Sequence, residues 1–217
     1  MAMQEYNLKR EEIFVTTKLW ISSFQYDKAL KAFNASLRNL NLDYVDLYLL
    51  HWPQPTYRRD AWKVLEKIYK EGRARSIGVS NYYKHHLEEL LNEADVIPAV
   101  NQVEFTPYLY LRDLKNFCDD HYITLEAYSP LTRGRKLDDK KLLEVAQKYN
   151  KTAAQTLIRW GLQHNIIEIP KSSKKDHIIE NSQIFDFSIS EEDMALLNGL
   201  DEKFYVGNWN PTLDRWK

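Results

Sequence analysis

One cysteine, Cys118, is all that the 217 residues contain, so no internal disulfide can form. A single thiol suits a reducing compartment. Its neighbours in "LKNFCDDHY" pattern as an amphipathic helix, which makes Cys118 a structural thiol. Glycine is scarce at 6 residues, and neither G-x-G-x-x-G nor G-x-x-x-x-G-K-[ST] occurs, so both common glycine-rich phosphate loops are excluded. There is no C-x-x-C, H-E-x-x-H or EF-hand pattern, and no metal site is expected. No apolar run approaches the roughly 20 residues that span a bilayer. The start, "MAMQEYNLKREE", has no signal-peptide core. A cytoplasmic protein is expected. The net charge of −1 implies no general pull toward nucleic acid or an anionic membrane, and neither is expected as a partner.

What is present is ordinary for a globular domain: 44% hydrophobic and 28% charged residues. One domain, residues 1–217, is expected, since no Gly-, Ser- or Pro-rich linker interrupts the chain. Six stretches read as strands: 13–20 "IFVTTKLW", 44–51 "YVDLYLLH", 74–81 "ARSIGVSN", 99–105 "AVNQVEF", 124–131 "TLEAYSPL" and 166–172 "IIEIPKS". Helical periodicity follows each one, over 27–42, 59–72, 84–94, 111–122, 139–150 with 152–164, and 174–185 with 190–200. The apolar face of 27–42 is Ala29, Leu30, Phe33, Leu37 and Leu40, and that of 59–72 is Trp62, Leu65, Ile68 and Tyr69, with Gly72 as the stop. Thr152 and Ser190 are expected N-caps. Strict strand–helix alternation implies an α/β fold with a parallel sheet, either open and doubly wound or closed as a barrel.

The strand ends carry the functional signal. His51 closes an apolar strand, and alone it reads best as a satisfied core histidine. It has company, however: Lys18, Ser80–Asn81, Gln102 and Glu104, Tyr128–Ser129, and Lys171–Ser172 end or flank the other five strands. In barrel enzymes the chemistry sits at the C-terminal strand ends, whereas an open sheet concentrates its ligand contacts at a switch point.

The stretches "REEIFVTTKLW", "LNLDYVDLYLLHWP", "GRARSIGVSN", "AVNQVEFTPYL", "AYSPL", "TAAQTLIRW" and "IPKSS", in this order, resemble the aldo-keto reductase family. The resemblance implies a (β/α)8 TIM-barrel type of fold and transfer of hydride between a nicotinamide cofactor and an aldehyde or ketone, with a small-molecule carbonyl substrate. It implies catalytic roles for Lys18, whose ammonium would lower the pKa of a tyrosine acid, and for His51, a neutral donor to the carbonyl. Ser80, Asn81 and Gln102 would hold the nicotinamide carboxamide, an amide offering both donor and acceptor. Tyr128 would stack on the nicotinamide. Ser129 and Leu131 belong to a loop over the pyrophosphate. Lys171, Ser172, Ser173, His177, Glu180 and Asn181 would take the adenosine end, where a helix start and nearby ammonium groups favour anions. His177 stands where the family commonly has arginine, so the cofactor is NADP(H) with NAD(H) open as well. The Lys174–Lys175 pair reads equally as a solvated basic turn. Trp20, Trp52 and Trp209 read equally as an apolar pocket and as core.

The family has two further βα units before "REEIFVTTKLW", and the second carries a catalytic Asp and Tyr. Neither residue has a counterpart here, and Tyr6 falls in what resembles a helix end. The expectation is an incomplete barrel of six βα units, truncated at the N-terminus and weak or inactive as a catalyst. Exposed strand edges would promote self-association. The alternative reading is a non-catalytic dinucleotide-binding chain or a half-barrel completed by a partner.

Overall fold

The computed structural model of the chain describes residues 2–207. Trp209 lies outside the described residues. These residues form two compact units that divide after Val100.

The first unit begins with α1 (Ala2–Glu5) and alternates from there: β1 (Thr16–Leu19), α2 (Tyr26–Leu40), β2 (Val45–Leu50), α3 (Arg58–Lys70), β3 (Ala74–Ser80) and α4 (Lys84–Leu91). β2 lies between β1 and β3, and both pairings are parallel. Every residue of β2 is buried, as expected of a strand whose apolar residues fall on both faces, and Asp46 within it is paired. Ala29, Phe33 and Leu37 of α2 and Trp62, Leu65 and Ile68 of α3 are buried, as their periodicity predicts. Leu40 and Tyr69, near the helix ends, are exposed at 43% and 40%, although they fall on the apolar faces that the periodicity predicts. Gly72 takes φ 71°, a left-handed stop after α3. Gly78, in β3, is required by space: a Cβ there would sit 2.3 Å from the Val100 carbonyl oxygen and 2.8 Å from Leu49 Cδ2.

Asp46, 4% exposed, ties the lower end of this unit together. It accepts from the Val15 N–H at 2.9 Å and from Arg10 at 2.8 Å, and it pairs with Arg75 at 3.3 Å. These bonds outweigh its burial and hold the carboxyl below the usual range.

The second unit contains β4 (Val100–Glu104), α5 (Arg112–Asp120), β5 (Thr124–Tyr128), α6 (Lys140–Lys148), α7 (Ala153–Gln163), β6 (Ile167–Glu168), α8 (Lys175–Ser182) and α9 (Glu191–Asn198). β4, β5 and β6 are neighbours in that order, and β5 and β6 run parallel. Both expected caps form: Thr152 accepts from the Gln155 N–H in a capping box, and Ser190 accepts from the Asp193 N–H. Cys118 is buried in α5, as a structural thiol would be.

All six strands are shorter than their sequence suggests, and three by more than end residues: β1 keeps Thr16–Leu19 of the expected 13–20. β5 stops at Tyr128 rather than at 131, because Ser129 turns left-handed with φ 55°. β6 keeps only Ile167 and Glu168 of the expected 166–172, since Pro170 has no N–H for a ladder and Lys171–Ser172 lie beyond it in irregular chain. Among the described residues no helix is long and apolar enough to cross a membrane, and no group of three His, Cys, Asp or Glu is arranged to hold a metal ion.

Candidate active site and nucleotide pocket

In the first unit the registers bring Lys18 and His51 to one face. Lys18 is the partner of Leu49, and His51 lies two residues beyond Leu49, so all three side chains share a side. Leu49 is also the partner of Gly78, which puts Ser80 on that side. The His51 N–H donates to the Leu19 carbonyl at 3.1 Å and fixes the strand end. Its ring meets Trp20 edge-on at 4.9 Å and lies parallel to Trp52 at 5.7 Å. Partial burial pushes the imidazole down to about 4, and the Lys18 ammonium adds to the effect. At neutral pH the ring is therefore uncharged, with one N–H to donate and one nitrogen to accept.

Asn81 completes this half. Its backbone is left-handed, φ 63°, a conformation that asparagine tolerates better than most residues. The turn lets Nδ2 donate to the His51 carbonyl at 3.0 Å and to Ser80 Oγ at 3.1 Å. Ser80 and Asn81 are both buried. The four expected residues Lys18, His51, Ser80 and Asn81 thus gather at the C-terminal ends of β1, β2 and β3.

In the second unit the expected residues fall into two groups. Gln102 of β4 and Glu126 of β5 are buried, and Gln102 Nε2 donates to Glu126 Oε1. Glu104, two residues on, accepts from the Val206 N–H at 2.6 Å; burial, against that bond, raises its carboxyl. Burial and the nearby Glu104 charge raise the Tyr128 phenol well above its usual value, so it stays protonated. Ser129, Thr132, Arg133 and Gly134 all have positive φ, which coils the chain after β5 into a tight loop.

The second group lines a cavity of about 850 Å³. Leu131, Lys171, Ser172, His177, Glu180 and Asn181 form part of its wall, and the start of α7 forms another. Thr152 Oγ donates to Glu180 at 2.6 Å, and Gln155 Nε2 donates to the Glu180 carbonyl at 3.1 Å. Ser172 Oγ accepts from the Lys174 N–H at 3.1 Å. Ser173 is exposed and, like Gln102, Tyr128 and Ser129, is not among the lining residues. Sequence reading gave no part in this site to Glu126 or Gln155, and took Thr152 only as an N-cap. The capping box of α7 was the available signal for the last two; a glutamate within a strand gave none.

Residues 1–202 match the family model described as the aldo/keto reductase family. The chain is 48% identical over 207 residues to glyoxal reductase of Bacillus subtilis (strain 168), covering 95% of this chain and 75% of that protein. Among solved structures it is similar to MGS-M4, an aldo-keto reductase from a Medee basin deep-sea metagenome library, with a TM-score of 0.91, 41% identity, and 94% and 77% of the two chains covered. It is also similar to a Bombyx mori aldo-keto reductase in complex with NADP, with a TM-score of 0.89, 34% identity, and 95% and 74% covered. The chain belongs to the aldo/keto reductase family. It is an oxidoreductase by that membership.

Proposed function

We propose that the chain binds NADP(H) and that its family chemistry is the reduction of small aldehydes or ketones to alcohols. The observation that carries the reading is the cavity of about 850 Å³, whose wall unites five residues that the family resemblance assigns to the adenosine end, Lys171, Ser172, His177, Glu180 and Asn181, with Leu131 of the pyrophosphate loop. Its size suits a cofactor site. Its polar groups suit an anionic nucleotide: the Lys171 ammonium, the Ser172 hydroxyl and the His177 imidazole beside the start of α8. The Bombyx mori relative with NADP bound supports NADP(H) as the cofactor. The B. subtilis relative named glyoxal reductase supports a small aldehyde as substrate.

On this reading the bound cofactor supplies the hydride. The chain's own residues bind and orient. His51, held neutral by its surroundings and by Lys18, donates its N–H to the carbonyl oxygen. Ser80, Asn81 and Gln102 hold the carboxamide, Tyr128 offers a ring face, and Ser129 and Leu131 pass near the phosphates. Lys171, Ser172, Ser173, His177, Glu180 and Asn181 hold the adenosine end.

We further propose that these 217 residues alone catalyse poorly. The resemblance supports Lys18 and His51 as part of a relay that also needs an Asp and a Tyr acid, and a positioned general acid contributes about 10²–10⁴-fold in rate. The test is NADPH titration followed by fluorescence, with and without an aldehyde, on this polypeptide. A second polypeptide, extended upstream by the family's two βα units of an eight-unit barrel, is measured beside it. Binding by both and brisk turnover only by the longer one is the expected result. Equal turnover would show that another group in these residues serves as the acid. Sedimentation of the same samples tests self-association, which the shorter polypeptide should show and the longer one should not.

A further inference from the structure

We propose that Glu126 is a positioning residue that sets which end of the Gln102 amide faces the cofactor. This inference rests on the nucleotide-binding reading above and deepens it. Gln102 lies in β4 and Glu126 in β5, both side chains are buried, and Gln102 Nε2 donates to Glu126 Oε1. A primary amide is nearly symmetric in shape but not in chemistry: one end only donates and the other only accepts. A carboxylate only accepts. Glu126 therefore selects one of the two amide orientations and holds Nε2 toward itself. The carbonyl Oε1 then points the other way. It has two lone pairs, so it can accept from a ligand N–H whatever protein donor it also serves.

The consequence is a specificity. With its orientation held, Gln102 offers an acceptor to the nicotinamide carboxamide and so reads the carboxamide NH2. The carboxamide C=O is left to other groups. Glu126 acts on the ligand only through Gln102, by pre-orienting it before binding. With neither orientation preferred, about half the molecules would have to turn the amide before pairing with the NH2.

The experiment compares two ligands: NADP+ and its 3-acetylpyridine analogue, which keeps the carbonyl but replaces NH2 by CH3. Affinities for this 217-residue protein are measured by calorimetry, so no turnover is needed. A single hydrogen bond of this kind is worth roughly 2- to 12-fold in affinity. The wild-type protein should therefore favour NADP+ by about that factor. Glu126→Gln keeps the size but gives the partner both a donor and an acceptor. It should lower the preference by at least about twofold. The exchange Q102E/E126Q places the acceptor-only group at position 102 and should restore or raise the preference. A role in packing alone would not follow this pattern, because E126Q would then shift both affinities together. Circular dichroism checks folding, and Glu126→Ala repeats the test should E126Q misfold. A preference unchanged in E126Q, or not recovered in the exchange, overturns the positioning role while leaving nucleotide binding intact. Failure of the wild-type protein to bind NADP+ at all overturns both.

Discussion

Lowering the pH from 7 to 5 should destabilise this protein through His51, and the size of the effect follows from the site. The ring is half-buried beside Lys18, and both features disfavour the imidazolium, so its pKa falls from an ordinary 6.5 to about 4. In the unfolded chain His51 takes up a proton near its ordinary value; in the folded chain it does not. Stability is therefore fully present above about 6.5 and is lost as pH falls toward about 4. Each pKa unit is worth about 1.4 kcal/mol, so the complete effect is at most about 3 kcal/mol. The ring is only partly buried, and we discount the effect to roughly 1.5 kcal/mol, about 1 kcal/mol of it appearing by pH 5. The assay is urea unfolding at pH 7 and pH 5 for the wild-type protein and for His51→Gln, which cannot take up the proton. The wild-type protein should lose about 1 kcal/mol more than the variant over this interval. Proton NMR should follow the His51 ring directly and place its midpoint well below 6.5. Lys18→Met should move that midpoint upward by removing the nearby charge. Equal losses for the two proteins, or a His51 midpoint at or above 6.5, would refute the argument. So would a midpoint that ignores Lys18, because the two side chains would then not share a face.

Lys171→Glu should weaken NADPH binding by roughly 3- to 10-fold and NADH binding less, because the lost charge would face the extra phosphate in a solvent-exposed setting. Fluorescence titration with both cofactors checks this, and equal losses would remove Lys171 from the phosphate. Gly78→Ala should destabilise by about 2–4 kcal/mol, since the added Cβ meets the Val100 backbone oxygen, which cannot yield as a side chain end would. Gly72→Ala, where only the left-handed φ opposes it, should cost about 1 kcal/mol; chemical denaturation giving the reverse order would contradict the packing described. Asp46→Asn should cost about 2–3 kcal/mol at pH 7 and progressively less as the pH is taken below the ordinary aspartate value. The depressed Asp46 carboxyl stabilises the fold above its unfolded-state value and loses that contribution as acid protonates it. Parallel pH-dependent unfolding curves for the wild-type protein and the variant would rule this out.

The alternation of elements is determined by the sequence alone. The apolar residues Val45, Leu47, Tyr48, Leu49 and Leu50 lie on both faces of an extended chain and so call for a strand covered on both sides. Thr152 and Ser190 start their helices because a hydroxyl there meets an otherwise unpartnered backbone N–H, whatever lies elsewhere in the chain. The polar groups at strand ends are equally local, and they made Lys18, His51, Ser80 and Asn81 candidates before any contact was known. Other features depend on distance and register, which no local pattern encodes. Pairing Lys18 with Leu49 is what turns the lysine to the face of His51 and helps to strip the imidazole of its charge. The last turn of α2 leaves Leu40 in solvent despite its correct periodicity. Gln102 and Glu126 are 24 residues apart, and only the lateral placement of β4 beside β5 joins them. The cavity wall likewise joins distant residues: Thr152 and Gln155, at the start of one helix, hydrogen-bond Glu180 in another. Periodicity and caps are properties of neighbours in the chain, whereas protonation states, amide orientation and a cavity wall are properties of neighbours in space.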